Sequence, residues 1–180
     1  NILENRIQEA HAPGGDGRRP LIGTHPMCGI CGQYNFGNGR PASRATVSAM
    51  AQSIAHRGPD DDGFHYSGSL GLGFRRLSII DLAGGHQPMS DAQKSVWVAF
   101  NGEIYNFPEL RRELEGLGHQ FRTRSDTEVI VHGYKQWGSA VLNHLNGMFG
   151  LAIWDEPARR LVLARDPAGI KLVYYRVDNG

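Results

Sequence analysis

Cysteine is scarce in this sequence, and so are long apolar runs and any excess of charge. Only two cysteines, Cys28 and Cys31, occur among 180 residues, which is too few for a disulfide framework and favours a reducing cytoplasm. The apolar runs are short and no secretory signal opens the chain, so no membrane span or export is predicted. The formal net charge of +1 gives no argument for a nucleic-acid or membrane partner.

The start of the chain differs from the rest. Residues 1–26 are rich in Gly, Pro and Arg and lack periodicity, which predicts a disordered leader, upstream read-through or tag. Residues 27–180 have an orderly pattern and predict one domain. Because the first residue is Asn1 whereas Met27 and Cys28 look like a protein start, we expect a fragment whose true start is Met27. A processed propeptide is the alternative.

Short apolar and alternating segments predict β-strands through most of the chain. A hairpin is predicted at the turn-forming stretch EPARR, which joins the runs MFGLAIWD and LVLARD. The predicted strands cover residues 29–36, 70–74, 77–81, 95–101, 148–155, 161–166 and 170–175.

The order of strands, then helices, then strands predicts an α+β fold with helices layered on a largely antiparallel sheet. A first helix follows Ser43, a predicted N-cap. A second follows Asn106, with Glu109 at the capping-box spacing, and a third follows Ser125, with Glu128 at the same spacing. The predicted apolar faces are Val47, Met50, Ala51 and Ile54 in the first helix and Leu110, Leu114 and Leu117 in the second, which ends at Gly118.

Cys28 has four interpretations. As a lone cysteine it is a buried structural residue. With Cys31 it forms C-x-x-C, the spacing of a redox pair or half a zinc site, although a strand follows it and no second ligand pair is present. As the first residue of a processed chain it would carry a free α-amine. That amine has a pKa of about 7.7–8.0, close enough to neutral to act as general base for the thiol of the same residue.

Three other stretches carry polar residues suited to binding, and each also has a plain structural interpretation. Asn101 and Gly102 end a strand and usually form a turn, but an Asn amide beside a Gly N–H also makes an oxyanion hole. Arg76 at a strand edge is commonly a solvated cap, yet Arg is the preferred bidentate partner of a carboxylate. Asp126 begins a helix, where acids favour the dipole in any case. No single stretch decides the function.

Taken together and in order, the motifs resemble the class II glutamine amidotransferase domain, the N-terminal half of glutamine-hydrolysing asparagine synthetases. The resemblance covers residues 27–178, in the blocks MCGICG, HRGPDDDG, RRLSIIDLAGGHQP, NGEIYN, TRSDTEVI, NGMFGLAIWD and ARDPAGIKLVYY. It implies the four-layer αββα sandwich of N-terminal-nucleophile hydrolases. The family's last glutaminase strands are missing, so we expect a fold that is truncated at the C-terminus and has an open sheet edge.

The resemblance implies a reaction as well. Cys28 would attack the side-chain amide of L-glutamine and form a thioester, with Asn101 and the Gly102 N–H holding the oxyanion. In the full-length enzyme the ammonia would pass to an ATP- and Mg²⁺-dependent synthetase domain, most simply one that amidates aspartate to asparagine in the manner of a C–N ligase. No cofactor or metal is expected in the present sequence, which has no SGGxDS-type nucleotide loop.

The resemblance further implies how the substrate is recognised. Arg76 would bind the α-carboxylate of glutamine, while Glu103 and Asp126 would take its α-ammonium. A free amino acid presents one group of each sign, so an Arg and one or two acids suit it independently of any resemblance. The remaining implied pocket residues are Leu77, Ser78, Ile79 and Ile80, through their backbone groups, and Asn106 as a brace.

Several alternatives stay open at this stage. The acceptor could be another acid or a glycan precursor, because LAGGHQP also resembles relatives found beside surface-polysaccharide and exosortase systems. A non-catalytic regulatory module would keep the fold without a free N-terminal cysteine. The expected partners are glutamine and the synthetase domain, with a homodimer left open and no nucleic acid or membrane.

Overall fold

The computed structural model describes residues 28–77 and 85–178, whose strands form two sheets. The first sheet has the order β1-β3-β2, with β1 at Gly29–Tyr34, β2 at Asp61–Ser67 and β3 at Leu70–Arg76. The second has the order β4-β5-β6-β7, with strands at Met89–Ser90, Val96–Ile104, Gly147–Asp155 and Arg160–Arg165. Each of these pairings is antiparallel, as the sequence predicts.

The two sheets face each other across a small apolar layer. Leu70 and Leu72 of β3 pack against Ala99 of β5 and against Ala152 and Trp154 of β6, and all five are buried. Side chains alternate between the two faces of a strand. We call the face of each sheet that points toward the other sheet its inner face. The inner face carries the even-numbered positions of β3 and β6 and the odd-numbered positions of β5.

Helices cover the two outer faces and complete four layers. Helix α1, Arg44–Ser53, lies on β1 and β3. Helices α2, Phe107–Gly116, and α3, Thr127–Trp137, lie over the second sheet, and a 3₁₀ turn, Gly138–Asn143, follows α3. The larger core fills this side, where Phe100, Ile104, Phe149, Leu151 and Ile153 meet Leu110, Leu114, Val129, Ile130 and Tyr134. The layer order confirms the αββα sandwich that the resemblance implies.

The helix starts are partly as predicted. Ser43 caps α1, since its hydroxyl accepts a hydrogen bond from the Thr46 N–H at 3.2 Å. Val47 and Ala51 are buried as expected, but Met50 is 39% exposed. Asn106 occupies the N-cap position of α2, yet its side chain makes no capping bond, so the predicted capping box is wrong there.

The start of α3 also departs from the predicted capping box. The Ser125 hydroxyl does accept a hydrogen bond from the Thr127 N–H at 3.2 Å. The carboxylate of Glu128, however, accepts the N–H groups of Arg122 and Thr123 at 2.8 and 2.7 Å. Glu128 thus fixes the loop before α3 through these two hydrogen bonds, and it does not form a capping box with Ser125.

The strand predicted at residues 170–175 is wrong, because this stretch has no regular secondary structure. Asp166 gives the physical reason. Its buried side chain accepts the N–H groups of Ile170 and Lys171 at 2.9 and 3.0 Å, which turns the chain out of the sheet after β7. After this turn several apolar side chains are exposed to solvent, and Tyr174 is 85% exposed.

Two further differences concern strands. Strand β2 was not predicted, because its sequence DDGFHYS is too polar to show a clear alternation, yet it pairs with β3 along its whole length. The strand predicted at residues 77–81 lies outside the described residues except for Leu77, which is not in a strand. Within the described chain, α3 has the most residues of any helix, at 11, and no helix combines the length and apolarity of a bilayer span.

Candidate active site

Cys28 lies directly before β1, at one end of the first sheet. The register pairs Gly29 with Arg75, so its extension by one residue places Cys28 opposite Arg76. Opposed residues of an antiparallel pair project to the same face, here the inner one. The Cys28 thiol is 3.9 Å from the carbonyl oxygen of Leu77, and Arg76 is only 8% exposed. A thiol and a buried guanidinium therefore share this end of the inner face.

Strand β5 carries two of the predicted site residues on the inner face of the other sheet. Trp97 and Ala99 belong to the apolar layer between the sheets, and the alternation continues to Asn101 and Glu103. These two polar positions come after the apolar layer along the strand. Strand β5 contacts both β1 and β3, so its inner face lies against the first sheet.

Cross-links between the sheets show that the two polar sets lie at the same end of the sandwich. At the far end, the Ser67 hydroxyl donates to the Glu156 carboxylate. At the near end, the Gln87 carbonyl lies against Gly63 of β2, and the Gln87 side chain accepts the Phe100 N–H. The start of β1 and the end of β3 therefore face the stretch of β5 that follows Phe100.

Gly102 leaves no room for a side chain. A Cβ at this position would overlap the carbonyl oxygen of Met148 and lie 2.7 Å from the Cα of Phe149, both in the neighbouring strand β6. The close approach explains why a glycine follows Asn101 here. The pairing also holds the Asn101–Gly102 backbone in a rigid strand, which is the condition for a preorganised oxyanion hole.

Asp126 and Glu103 form a pair of carboxylates beside this strand. An Asp126 oxygen accepts the Ile104 N–H at 3.0 Å, which fixes the carboxylate at the end of β5. Burial raises the pKa of Asp126 above its ordinary value, and the negative charge of Glu103 raises it further, although the N–H groups of Ile104 and Thr127 offset part of this effect. A cation bound between the two carboxylates would relieve their repulsion.

Asn106 braces the turn after β5. Its side-chain amide donates to the His144 carbonyl at 2.9 Å and accepts the Asn146 N–H at 2.9 Å. The Tyr105 N–H adds a bond of 2.7 Å to the Asn146 carbonyl. Asn106 therefore joins the β5–α2 turn to the loop before β6. Because its side chain makes these two bonds, it does not cap α2.

The segment expected to line the pocket is only partly described. Leu77 is half-buried, with its carbonyl facing Cys28, whereas the predicted residues Ser78, Ile79 and Ile80 lie outside the described residues. At the far side of that gap, a Cβ on Gly85 would lie 2.8 Å from a guanidinium nitrogen of Arg76. The main chain at Gly85 thus packs directly on the predicted carboxylate-binding group.

Cys31 belongs to another environment. Gly29 and Gly73 face α1, and Cys31 shares that outer face, with its sulfur 3.9 Å from the Val47 carbonyl of α1. Burial raises the pKa of the Cys31 thiol to about 11, so it is an inert thiol. Because Cys28 and Cys31 lie on opposite faces, the C-x-x-C motif is neither a redox pair nor one edge of a zinc site, and both cysteines are free.

Sequence reasoning missed two features near Cys28 and Asn101. Arg57 donates from Nε to the Cys28 carbonyl at 3.4 Å, and the only sequence signal was its place in the HRGPD block. Residues 171–173 cross the inner face of β6 at Gly150, which is the register partner of Asn101. No local pattern could have shown this second contact, because it depends on the turn at Asp166.

Comparisons with known proteins agree on one family. The family model described as a glutamine amidotransferase domain matches residues 27–180. Glutamine-hydrolyzing asparagine synthetase 1 of Bacillus subtilis is 44% identical over 158 residues, which cover 85% of this chain and 24% of that protein. A putative glutamine-hydrolyzing asparagine synthetase of Mycobacterium tuberculosis is 41% identical over 169 residues, which cover 84% of this chain and 26% of that one.

A solved structure of glutamine phosphoribosylpyrophosphate amidotransferase from B. subtilis, in complex with ADP and GMP, is 28% identical to this chain. The match covers 58% of this chain and 25% of that one, with a TM-score of 0.49. The chain thus spans about a quarter of the length of the curated relatives it matches.

Proposed function

Because the chain belongs to the glutamine amidotransferase domain family, we propose that it hydrolyses L-glutamine to glutamate and ammonia through a thioester on Cys28. One observation carries this proposal. Cys28 and Arg76 on the inner face of the first sheet lie at the same end of the sandwich as Asn101 and Glu103 on the inner face of the second. A nucleophile, an anion-binding group, an amide donor and a carboxylate thus converge from three separate chain segments.

The chemistry begins with the free α-amine of a processed Cys28, which takes the proton of its own thiol. The thiolate attacks the side-chain carbonyl carbon of glutamine, and the oxygen becomes an oxyanion held by the Asn101 amide and the Gly102 N–H. Collapse of this intermediate breaks the C–N bond, and the departing nitrogen takes the proton as ammonia. Water then attacks the thioester, releases glutamate and restores the thiol.

Recognition of the substrate uses one group for each charge. Arg76 binds the α-carboxylate, for which a planar guanidinium offers two parallel hydrogen bonds. Glu103 and Asp126 bind the α-ammonium, which supplies the positive charge that this carboxylate pair lacks. Backbone groups of residues 77–80 line the pocket, and the Asn106 brace keeps the end of β5 in place.

The relatives' names extend the proposal to the whole protein. Because they are glutamine-hydrolyzing asparagine synthetases, we infer that ammonia passes to a synthetase domain that amidates aspartate. ATP and Mg²⁺ would serve that domain, and the glutaminase chemistry derived above uses neither. The expected location is a reducing cytoplasm, because two cysteines are too few for a disulfide framework.

Replacement of each cysteine tests the proposed reaction. In protein that begins at Cys28, Cys28→Ala should abolish glutamine-dependent ammonia release, because it removes the nucleophile. Cys31→Ala is the matched control and should keep most of the activity, since Cys31 lies on the outer face under α1. Coupled-enzyme detection of ammonia measures both variants. Equal loss in both, or ammonia release from Cys28→Ala, would contradict the assignment.

A further inference from the structure

Gln87 contacts three elements around the candidate active site, namely β2, β5 and α3, and lies in none of them. It is 7% exposed and precedes the short strand β4. Its side-chain oxygen accepts the Phe100 N–H at 2.6 Å, and its side-chain nitrogen donates to the Thr127 hydroxyl at 3.4 Å. Phe100 is the residue before Asn101, and Thr127 is the residue after Asp126.

The register explains why a side chain makes the first of these bonds. Strand β4 pairs Met89 with Val98, so the same register would bring Gln87 opposite Phe100. There the Phe100 N–H would ordinarily donate to the backbone carbonyl of its partner. The Gln87 carbonyl instead lies against Gly63 of the first sheet, so tightly that a Cβ on Gly63 would overlap it. The Gln87 amide oxygen takes the place of that carbonyl in the ladder.

We propose that Gln87 is a positioning residue that sets Asn101 and Asp126 relative to the first sheet. This inference rests on the proposed function. One end of the residue is fixed on the sheet that carries Cys28, through Gly63, while its amide holds β5 beside Asn101 and α3 beside Asp126. Gln87 is bonded to the neighbours of Asn101 and Asp126, so it acts through the proposed oxyanion donor and the proposed ammonium-binding carboxylate.

The two hydrogen bonds predict separable effects. Loss of the bond to Phe100 displaces the oxyanion donor, which acts in the transition state and therefore lowers kcat. Loss of the bond to Thr127 displaces Asp126, which binds the ground-state ammonium and therefore raises KM. A displacement of about 1 Å costs on the order of a hundredfold in rate, so an effect of tenfold or more is expected from either loss.

The test compares three variants of the full-length protein, each with Cys28 as its first residue. Gln87→Leu removes both bonds and should lower kcat/KM for glutamine hydrolysis at least about tenfold, with changes in both kcat and KM. Thr127→Val removes only the α3 bond and should raise KM while kcat stays within about twofold. Gln52→Leu, at an exposed position of α1, is the control and should match the wild-type protein.

A second measurement separates positioning from general loss of structure. The rate at which iodoacetamide alkylates Cys28 needs neither the oxyanion hole nor the ammonium site, so it should stay within about twofold of wild type in every variant. If Gln87→Leu does not fold, the KM effect of Thr127→Val still decides the question. Wild-type kinetics in that variant would then overturn the inference.

The outcomes distinguish this inference from the proposed function. An active wild-type protein whose Gln87→Leu variant keeps its kcat/KM would overturn the inference alone. Parallel losses of hydrolysis and alkylation would also overturn it, since they would show disorder around Cys28. A wild-type protein that starts at Cys28 and releases no ammonia would overturn the proposed function and this inference with it.

Discussion

The carboxylate of Asp126 is held in an environment that favours its neutral form. Burial and the neighbouring charge of Glu103 raise its pKa, while the Ile104 N–H keeps the group in place. A raised folded-state pKa means that the ionised group destabilises the fold, and this penalty grows as pH rises from the ordinary carboxyl value of 3.8. The proposed function of Asp126, which needs an ionised carboxylate, is thus opposed to the stability of the fold.

Asp126→Asn should therefore separate function from stability. The amide keeps an acceptor for the Ile104 N–H but carries no charge, so the variant should melt higher than wild type at pH 8, and the gain should vanish below about pH 3.8. Loss of a charge-assisted bond to the substrate ammonium should lower kcat/KM for glutamine about tenfold to a hundredfold. Calorimetry across pH, together with ammonia release, checks both effects.

A variant that melts lower at pH 8 would contradict the penalty assigned to Asp126. Glu103→Gln is the matched comparison. This variant removes the charge of Glu103 and leaves the buried Asp126 carboxylate in place. It should therefore reduce the pH dependence of stability that Asp126 contributes.

At the scale of one element, α3 is fixed to the loop before it by the buried side chain of Glu128. Burial alone would raise the pKa of Glu128, but hydrogen bonds from His132, Thr123 and the Arg122 N–H lower it to about 2. A lowered folded-state pKa stabilises the fold above the ordinary value of 4.5, and this stabilisation is lost as pH falls toward 2. The ionised form of Glu128 thus stabilises the fold, whereas the ionised form of Asp126, two residues away, destabilises it.

Glu128→Gln should destabilise the protein by about 3 kcal/mol at pH 7, because it leaves buried donors with a weaker acceptor. The difference from wild type should shrink as pH falls from 4.5 toward 2, where the wild-type carboxylate becomes protonated. Urea unfolding at several pH values measures this. The exposed Glu113→Gln on α2 is the control, and a difference that does not change with pH would refute the assigned role.

The strands and helices show where sequence reasoning succeeds. Strand β5 and strand β6 have enough β-branched and aromatic residues in a row to be predicted, and the site motifs fall at their ends. The faces follow as well, since alternation alone places Asn101 and Glu103 together. The sequence could not show that Asn106 and Glu128 bond to distant backbone groups, because either residue also fits a local cap.

The sequence could not predict the roles of residues that act through contacts between separate elements of the fold. Gln87 reads as an ordinary loop glutamine until β5, β2 and α3 surround it. Arg57 likewise shows no partner until α1 brings it to the Cys28 carbonyl. The family resemblance supplied the residues proposed to touch the substrate and the brace at Asn106, whereas the contacts of Gln87 and Arg57 came only from the three-dimensional arrangement.

At the scale of the whole molecule, the second sheet ends in strand β7. Within the described chain β7 pairs only with β6, and Leu163 on β7 is 42% exposed. Residues 170–177 add exposed apolar side chains, among them Leu172 and Tyr174. A strand edge that has no partner among the described residues, next to exposed apolar surface, favours association between molecules.

Leu163→Lys should therefore reduce self-association, because a charge on an edge strand blocks pairing with another chain. Leu117→Lys is the control, since Leu117 is 53% exposed at the end of α2, away from the sheet edge. Light scattering at increasing protein concentration measures the effect. Equal behaviour of the two variants would show that the β7 edge does not drive association.

Cys28 is proposed to work as a nucleophile because its own amine is free. The most direct measurement compares glutamine-dependent ammonia release by protein that begins at Cys28 with release by protein that keeps residues 1–27, with both N-termini verified by intact mass. We expect activity in the first form and none in the second, where the base has become an amide nitrogen. Equal rates in the two forms would contradict it.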